Sequence, residues 1–283
     1  MPHTLPEALA LIADDRDIVP IAGGTDLLVH WPVLIEAHDR TYLDLWGIPE
    51  LRQIHWTDEA LELGALATYW DVVRDPAIGA ELPLLVQAAR QVGAIQIQSR
   101  GTWAGNIANG SPAADGVPVL MACDATVVLA SRADRREVPL ADFYRGYKEM
   151  EMRDDELIVA VRIPRRPRST QGFFKVGSRR AQAIAKVGLA LVRSESGWRV
   201  VAASVAPTVR RCPSIEALLE ETAVGNGSAD LDSPEDLLPA IRRDIAPIDD
   251  LRSRAAYRER VLARVLFFAI QDGAGLSRTP SRP

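Results

Sequence analysis

Ile21-Ala22-Gly23-Gly24-Thr25-Asp26-Leu27-Leu28 is the stretch on which the fold turns. An apolar run, Ile18 to Ala22, enters two glycines, and a short apolar segment leaves them. Small residues at such a turn let backbone N–H groups point outward at an anion, because no Cβ blocks the approach. Taken alone, one Gly-Gly-Thr-Asp is more often a plain strand-to-helix turn. About eighty residues on comes a second small-residue segment, Thr102-Trp103-Ala104-Gly105-Asn106-Ile107, continuing to Ser111-Pro112-Ala113-Ala114-Asp115. Thr102 offers a hydroxyl, Ala104 and Gly105 permit close backbone approach, Asn106 both donates and accepts, and Asp115 suits a ribose hydroxyl. Alone, this segment reads equally well as a Gly/Asn-rich surface loop. Two such turns together suit the two phosphates of a dinucleotide held from opposite sides. Neither is the Gly-x-Gly-x-x-Gly of a Rossmann fold, so the architecture is a different one.

Working outward, Thr4 to Ala13 reads as an amphipathic helix capped at Thr4, with Glu7 three residues on. Thr25 to Trp31 makes one or two helical turns before Pro32. Thr41–Leu45, Leu61–Gly64, Asp124–Ala130 and Leu157–Ile163 read as strands, and Tyr69–Arg74 and Leu82–Val92 as helices. Pro164-Arg165-Arg166-Pro167-Arg168-Ser169-Thr170 marks a boundary, its arginines a solvated linker or a dock for an acidic partner. Beyond it, strands at Gly172–Val176, Val187–Val192 and Trp198–Val205 precede helices at Ile215–Leu219, Pro234–Arg242 and Leu251–Ile270. That order predicts a small α+β domain. Residues 222–232 read as a loop and 273–283 as a loose tail, and no internal repeat is present.

The chain has 283 residues, 47% hydrophobic and 25% charged, which fits one large or two ordinary globular domains. A net charge of −5 argues against nucleic acid as a partner. Cys123 and Cys212 stand far apart, so the thiolates build neither a zinc nor an iron–sulfur site, and Cys123 lies in an apolar run suited to a core. The four histidines lack ligand spacing. The N-terminal segment has no basic region before its short apolar run, and no stretch suits a membrane span, which makes the cytoplasm the expected location.

Together the two glycine segments resemble the FAD-binding medium subunit of the molybdenum hydroxylases, the family of xanthine dehydrogenase, carbon monoxide dehydrogenase and aldehyde oxidoreductases. The resemblance runs nearly end to end. It continues through Arg100-Gly101-Thr102, Asp124-Ala125-Thr126-Val127 and Asp155-Glu156-Leu157-Ile158. Arg179-Arg180-Ala181-Gln182-Ala183-Ile184-Ala185-Lys186-Val187 and Ser204-Val205-Ala206-Pro207-Thr208 complete it. It implies an α+β fold: an FAD-binding domain of the vanillyl-alcohol-oxidase (PCMH) type over 1–168, with subdomains near 1–52 and 53–168. A small C-terminal domain like that of the carbon monoxide dehydrogenase flavoprotein follows over 169–275, antiparallel strands plus a helical bundle, with a tail at 276–283.

The resemblance also implies the site. Pro20, Ile21, Ala22, Gly23, Gly24, Thr25, Asp26 and Leu27 would wrap the FAD pyrophosphate. Thr102, Trp103, Ala104, Gly105 and Asn106 would form the second loop around it, with Trp103 facing a partner or the cofactor. Asp115 would hold ribitol or ribose, and Val92 would touch the cofactor. Ile158 would bring backbone near the isoalloxazine, and Lys175 would reach in from the next domain. No residue is cast as a catalytic acid or base. Ala104 departs from the family's usual Thr-x-Gly-Gly-Asn, Pro20 stands where a basic residue is common, and the usual aromatic residues before Thr4 are absent. The implied cofactor is FAD, non-covalent because no histidine or cysteine stands beside the loops. The implied partners are a large molybdopterin subunit and a small subunit with 2Fe–2S clusters, in a dimer of heterotrimers. Two cysteines exclude the 4Fe–4S insertion of some relatives. Two other readings remain: a self-standing flavoenzyme like UDP-N-acetylenolpyruvoylglucosamine reductase, which turns over alone, and a flavin-free binding subunit, which purifies colourless.

Overall fold

Thr4 starts the first helix, its hydroxyl accepting from the Glu7 N–H at 3.4 Å, and α1 (Leu5–Asp14) buries Ala8, Leu9 and Ile12. The Glu7 carboxylate takes the His3 N–H instead of closing a box on Thr4. The computed structural model describes residues 1–15, 17–31, 40–224, 228–229 and 231–271, and the statements below concern these. The tail at 273–283 and Pro32 lie outside them, as do 225–227 and 230 of the expected loop.

Next, β1 (Val19–Ile21) runs parallel to β2 (Tyr42–Asp44), with α2 (Leu27–His30) between them in sequence. Then follow β3 (Ile54–Trp56), β4 (Ala60–Gly64), and the helices α3 (Tyr69–Arg74), α4 (Pro76–Glu81), α5 (Pro83–Gln91), α6 (Ile95–Gln98), α7 (Trp103–Asn109) and α8 (Gly116–Ala122). The strands β5 (Thr126–Ala130), β6 (Arg135–Pro139), β7 (Tyr144–Gly146), β8 (Glu149–Met150) and β9 (Leu157–Pro164) complete this part. An antiparallel sheet in the order β3-β4-β9-β5-β6 has β9 at its centre. That place explains why β9 is buried from Leu157 through Val161 with no alternation.

The chain turns at Arg165–Pro167, a shorter break than the sequence suggests, because β10 already begins at Arg168 (Arg168–Val176). Arg165, Arg166 and Pro167 are exposed, as a solvated linker is, and the arginines also find partners within the chain. Arg165 grips Glu81 with two bonds of 2.6 and 2.7 Å, Arg166 reaches Asp124, and Arg162 reaches Glu137. These pairs give the arginines acidic partners in the chain itself.

Strands β11 (Val187–Ser194), β12 (Gly197–Ala203) and β13 (Arg210–Arg211) extend β10 into an antiparallel sheet. Behind it come α9 (Pro213–Glu221), the short pair β14 (Ala223–Val224) and β15 (Ser228–Ala229), α10 (Leu238–Asp244) and α11 (Ala255–Gln271). Helix α11 starts four residues later than the pattern predicts, since Asp249 accepts from the Ala255 N–H and ends the preceding turn. The segment Pro234–Arg242 is a 3₁₀ turn that hands over to α10.

Period-two geometry gives the second sheet two buried faces. Ala190, Val192, Val201 and Ala203 join the core of the first part, while Leu189, Leu191, Val200 and Ala202 join a second core with α9, α10 and α11. Helix α8 is buried along its whole length and packs on β11 and β12. An apolar helix in that position needs no polar face, which is why its sequence gave no helical stripe to read. Hydrogen bonds stitch the sheet to the first part: Gln171 Nε2 to Glu81 O (2.9 Å), Phe173 N–H to Gln87 Oε1 (3.0 Å), Arg199 to Asp124 (2.9 Å) and Ser204 N–H to Pro112 O (2.7 Å). No helix among the described residues is long and apolar enough to cross a membrane.

Candidate functional site

Gly23 is where the two glycine segments meet. A Cβ placed there would stand 1.8 Å from the Arg100 carbonyl oxygen and 3.1 Å from the Gly101 nitrogen, so only glycine lets the backbones lie flush. Gly24 follows with φ +73°, the left-handed region that glycine enters without a Cβ penalty. On the other side, a Cβ on Gly101 would meet Ile97 O at 3.0 Å and Thr25 Oγ1 at 3.3 Å. Pro20 and Ile21 lie in β1, Ala22 bridges to the turn, and Leu27 begins α2. Asp26 Oδ1 accepts from Asn109 Nδ2 at 3.0 Å, which ties the first turn to the end of α7. The N–H groups of Gly23, Gly24, Thr25 and Asp26 find no acceptor among the described residues.

The second segment is not a loop. Thr102 caps α7, its Oγ1 accepting from the Gly105 N–H at 2.9 Å, so that hydroxyl is committed within the chain. A single bridge fixes its position: Tyr69 N–H donates to Gly101 O and Trp103 N–H to Ala67 O. Trp103 is wholly buried with its ring 4.9 Å from that of Tyr69, and faces no partner. Ala104 points into the core from a helical backbone that accepts a methyl, and Gly105 is exposed. Asn106 Oδ1 accepts from the Gly116 N–H at 3.1 Å and joins α7 to α8.

Asp115 lies just before α8. Lys175, on β10, places Nζ 2.6 Å from Asp115 Oδ2 and 3.0 Å from the Gln91 carbonyl oxygen. The second carboxylate oxygen, Oδ1, is buried with no hydrogen-bond partner. Burial raises the Asp115 pKa to about 6, against the pull of the Lys175 charge and hydrogen bond. Val92, the half-buried residue after α5, uses its carbonyl for Gln98 Nε2 at 3.0 Å, one residue from the carbonyl Lys175 takes. Ile158 pairs with Leu129 beside a bulge at Val159, and no hydrogen bond joins it to the glycine turns. Its strand is anchored by Glu156, which accepts from Arg136 at 2.7 and 2.9 Å and from the Arg153 N–H at 2.7 Å. Burial works to raise that carboxyl, but the arginine and backbone hydrogen bonds outweigh it and hold the pKa below its ordinary value.

Sequence reasoning left out three contributors. Arg100 supplies the carbonyl against Gly23, and its guanidinium lies 3.8 Å from the centre of the Trp46 ring, which Arg52 approaches at 4.2 Å. Gln91 and Tyr69 face Lys175 and Gly101. Only the Arg100-Gly101 pair left a trace, as a glycine just before a capping threonine. The donor set fits a dinucleotide: a glycine turn with four N–H groups lacking acceptors, and a buried carboxylate with an oxygen to spare.

Comparisons find the chain similar to FAD-binding subunits. A family model described as the FAD binding domain in molybdopterin dehydrogenase matches residues 1–166, and one described as the CO dehydrogenase flavoprotein C-terminal domain matches residues 172–272. A nicotinate dehydrogenase FAD-subunit from Eubacterium barkeri is 31% identical over 287 aligned residues, covering 96% of this chain and 95% of that one. A carbon monoxide dehydrogenase medium chain from Hydrogenophaga pseudoflava is 32% identical over 216 residues, 74% of this chain and 75% of that one. The solved carbon monoxide dehydrogenase of the same organism superposes with a TM-score of 0.85 at 29% identity, covering 96% of this chain and 95% of that one.

Proposed function

The chain belongs to the FAD-binding subunits of the molybdenum hydroxylases, and from that premise we propose that it relays electrons within a heteromeric complex. A small partner subunit with 2Fe–2S clusters delivers them, and FAD on this chain passes them to an external acceptor: NAD⁺, a quinone or oxygen. A large molybdopterin subunit holds the substrate. The complex is a cytoplasmic dimer of heterotrimers. The observation that carries this reading is the junction at Gly23, where a turn with unengaged N–H groups lies against the second glycine segment.

When bound, the flavin supplies the electron chemistry. The chain's own residues position it. The N–H groups of Gly23 to Asp26 hold the pyrophosphate, each bond to a charged oxygen contributing about 1.5–3 kcal/mol. Gly101 and the start of α7 keep the first turn in place. Asp115 accepts from a sugar hydroxyl, Lys175 balances its charge, Val92 touches the cofactor, and the Ile158 backbone borders the isoalloxazine. No side chain is assigned a proton to move.

Two measurements check the reading. FAD-loaded protein is denatured in acid and centrifuged; FAD is expected in the supernatant. Flavin that stays in the pellet, or release as FMN, refutes non-covalent FAD. At Gly24→Val the new Cβ itself meets only ordinary contacts, Ile21 Cδ1 at 3.4 Å and Leu28 Cδ1 at 3.6 Å, before valine's two methyls are added. Its cost includes a conformational part, about 1–2 kcal/mol for a left-handed residue and more for a β-branched one. Reduced flavin content with an unchanged circular dichroism spectrum is expected, and full flavin content would sink the assignment of this turn.

A further inference from the structure

Asp115 Oδ1 is not the only buried polar atom without a partner near the site; the hydroxyl of Tyr69 is another. Tyr69 is 3% exposed and opens α3, where the Thr68–Asp71 capping box and the bridge to Thr102 fix its backbone. Its ring packs on Trp103 and beneath Gly101. Its hydroxyl lies 3.1 Å from where a Cβ on Gly116 would stand, beside the peptide that follows Asp115. Burial first, then the Asp115 charge and Tyr144, push the phenol pKa well above its ordinary value, so the group is a neutral donor. Buried hydroxyls are nearly always hydrogen-bonded. Here a buried donor beside the Gly116 backbone and a buried carboxylate oxygen of the residue before it are both unpaired. One hydroxyl group between them satisfies both, because a hydroxyl accepts from the phenol and donates to the carboxylate at once.

We propose that Tyr69 is a further cofactor-binding residue: its hydroxyl and Asp115 Oδ1 grip the same sugar hydroxyl of the FAD from two sides. The proposal rests on the FAD reading above. Lys175 holds Oδ2 and keeps the carboxylate aimed, and the ionised Asp115 is the stronger acceptor. Around the pair stand Lys175 from β10, Tyr69 from α3 and, facing Tyr69, Tyr144 from β7, whose hydroxyl is engaged with Ile107 O at 2.8 Å.

The test is a double-mutant cycle on FAD affinity with Tyr69→Phe, Asp115→Asn and the pair, read by flavin fluorescence from about pH 5 to about pH 8. Tyr69→Phe keeps the ring packed on Trp103, so the apo protein is expected to melt as the parent does. Each single change is expected to raise Kd about tenfold, and the pair far less than the product of the two. In the parent, affinity falls as pH drops through the Asp115 ionisation near 6. Tyr69→Phe moves that midpoint upward, because the shared hydroxyl then supports the carboxylate less well, and Asp115→Asn abolishes it. An unchanged Kd and midpoint in Tyr69→Phe, or strictly multiplicative effects, overturns the proposal while leaving the site intact. An unchanged Kd in Asp115→Asn overturns both.

Discussion

Gly23→Ala is expected to empty the chain of flavin and to destabilise it, the largest effect of any single methyl in this protein. The new Cβ would stand 1.8 Å from Arg100 O and 2.6 Å from its carbonyl carbon. Ordinary carbon–oxygen contact is about 3.3 Å. The obstacle is backbone, which cannot rotate aside as a side chain would, so the two segments must part by roughly 1.5 Å if they are to reach that contact. Overpacking of that kind costs about 1–3 kcal/mol of stability. The N–H groups of the turn move with it, and losing two bonds to charged oxygens removes about 3–6 kcal/mol of binding, at least about a hundredfold in Kd. Absorbance per chain and a thermal melt read both effects. Gly79→Ala, on exposed α4 with no atom within 4 Å of the new methyl, is the matched control and should keep its flavin. Gly23→Ala protein with full flavin and an unchanged melt would dissolve the junction as the centre of the site.

The second large effect concerns partners. The FAD-loaded chain alone is expected to oxidise no purine, aldehyde or heteroaromatic substrate. Combined with a molybdopterin subunit and a 2Fe–2S subunit, it should pass electrons from substrate to acceptor at least about a thousandfold faster, about 4 kcal/mol of barrier. Both cysteines are buried, and burial raises the Cys123 thiol to about 11 and Cys212 further still. Neither is poised as a thiolate, for catalysis or for iron. Stopped-flow reduction of the flavin by substrate, with and without partners, measures the difference. Fast reduction of the lone chain would restore the self-standing flavoenzyme.

Much of the fold was readable because its signals are local. Thr4 caps α1 as a threonine before an apolar run does, and strands rich in valine and leucine announced β9 and β11. What escaped was the choice of partner, near and far along the chain. Thr102, Ala104 and Asn106 looked like ligand-facing groups, but their partners are Gly105, the core and Gly116. The pattern of small and polar residues is the same whether a segment lines a ligand or starts a helix. The fit of Gly23 against Arg100 is a relation between two distant backbones, and no composition betrays it. The ion pairs of Arg162 and of the exposed Arg165 and Arg166 escaped because their acidic partners, Glu137, Glu81 and Asp124, lie far away in sequence.

The stitching of β10 and β12 to the first part has a consequence for inheritance. The short turn at Arg165–Pro167 looks like a natural crossover point between two exchangeable modules. Yet Lys175 answers to Gln91 and Asp115, Phe173 to Gln87, Ser204 to Pro112 and Arg199 to Asp124. A recombinant joined at that turn takes the two sides of each of these pairings from different parents, Asp115 from one and Lys175 from the other. Shuffling halves between relatives therefore also splits the proposed FAD site. Viable crossovers are those whose parents agree at the side-chain pairs Lys175–Asp115 and Arg199–Asp124 and at Gln87, however much they differ elsewhere.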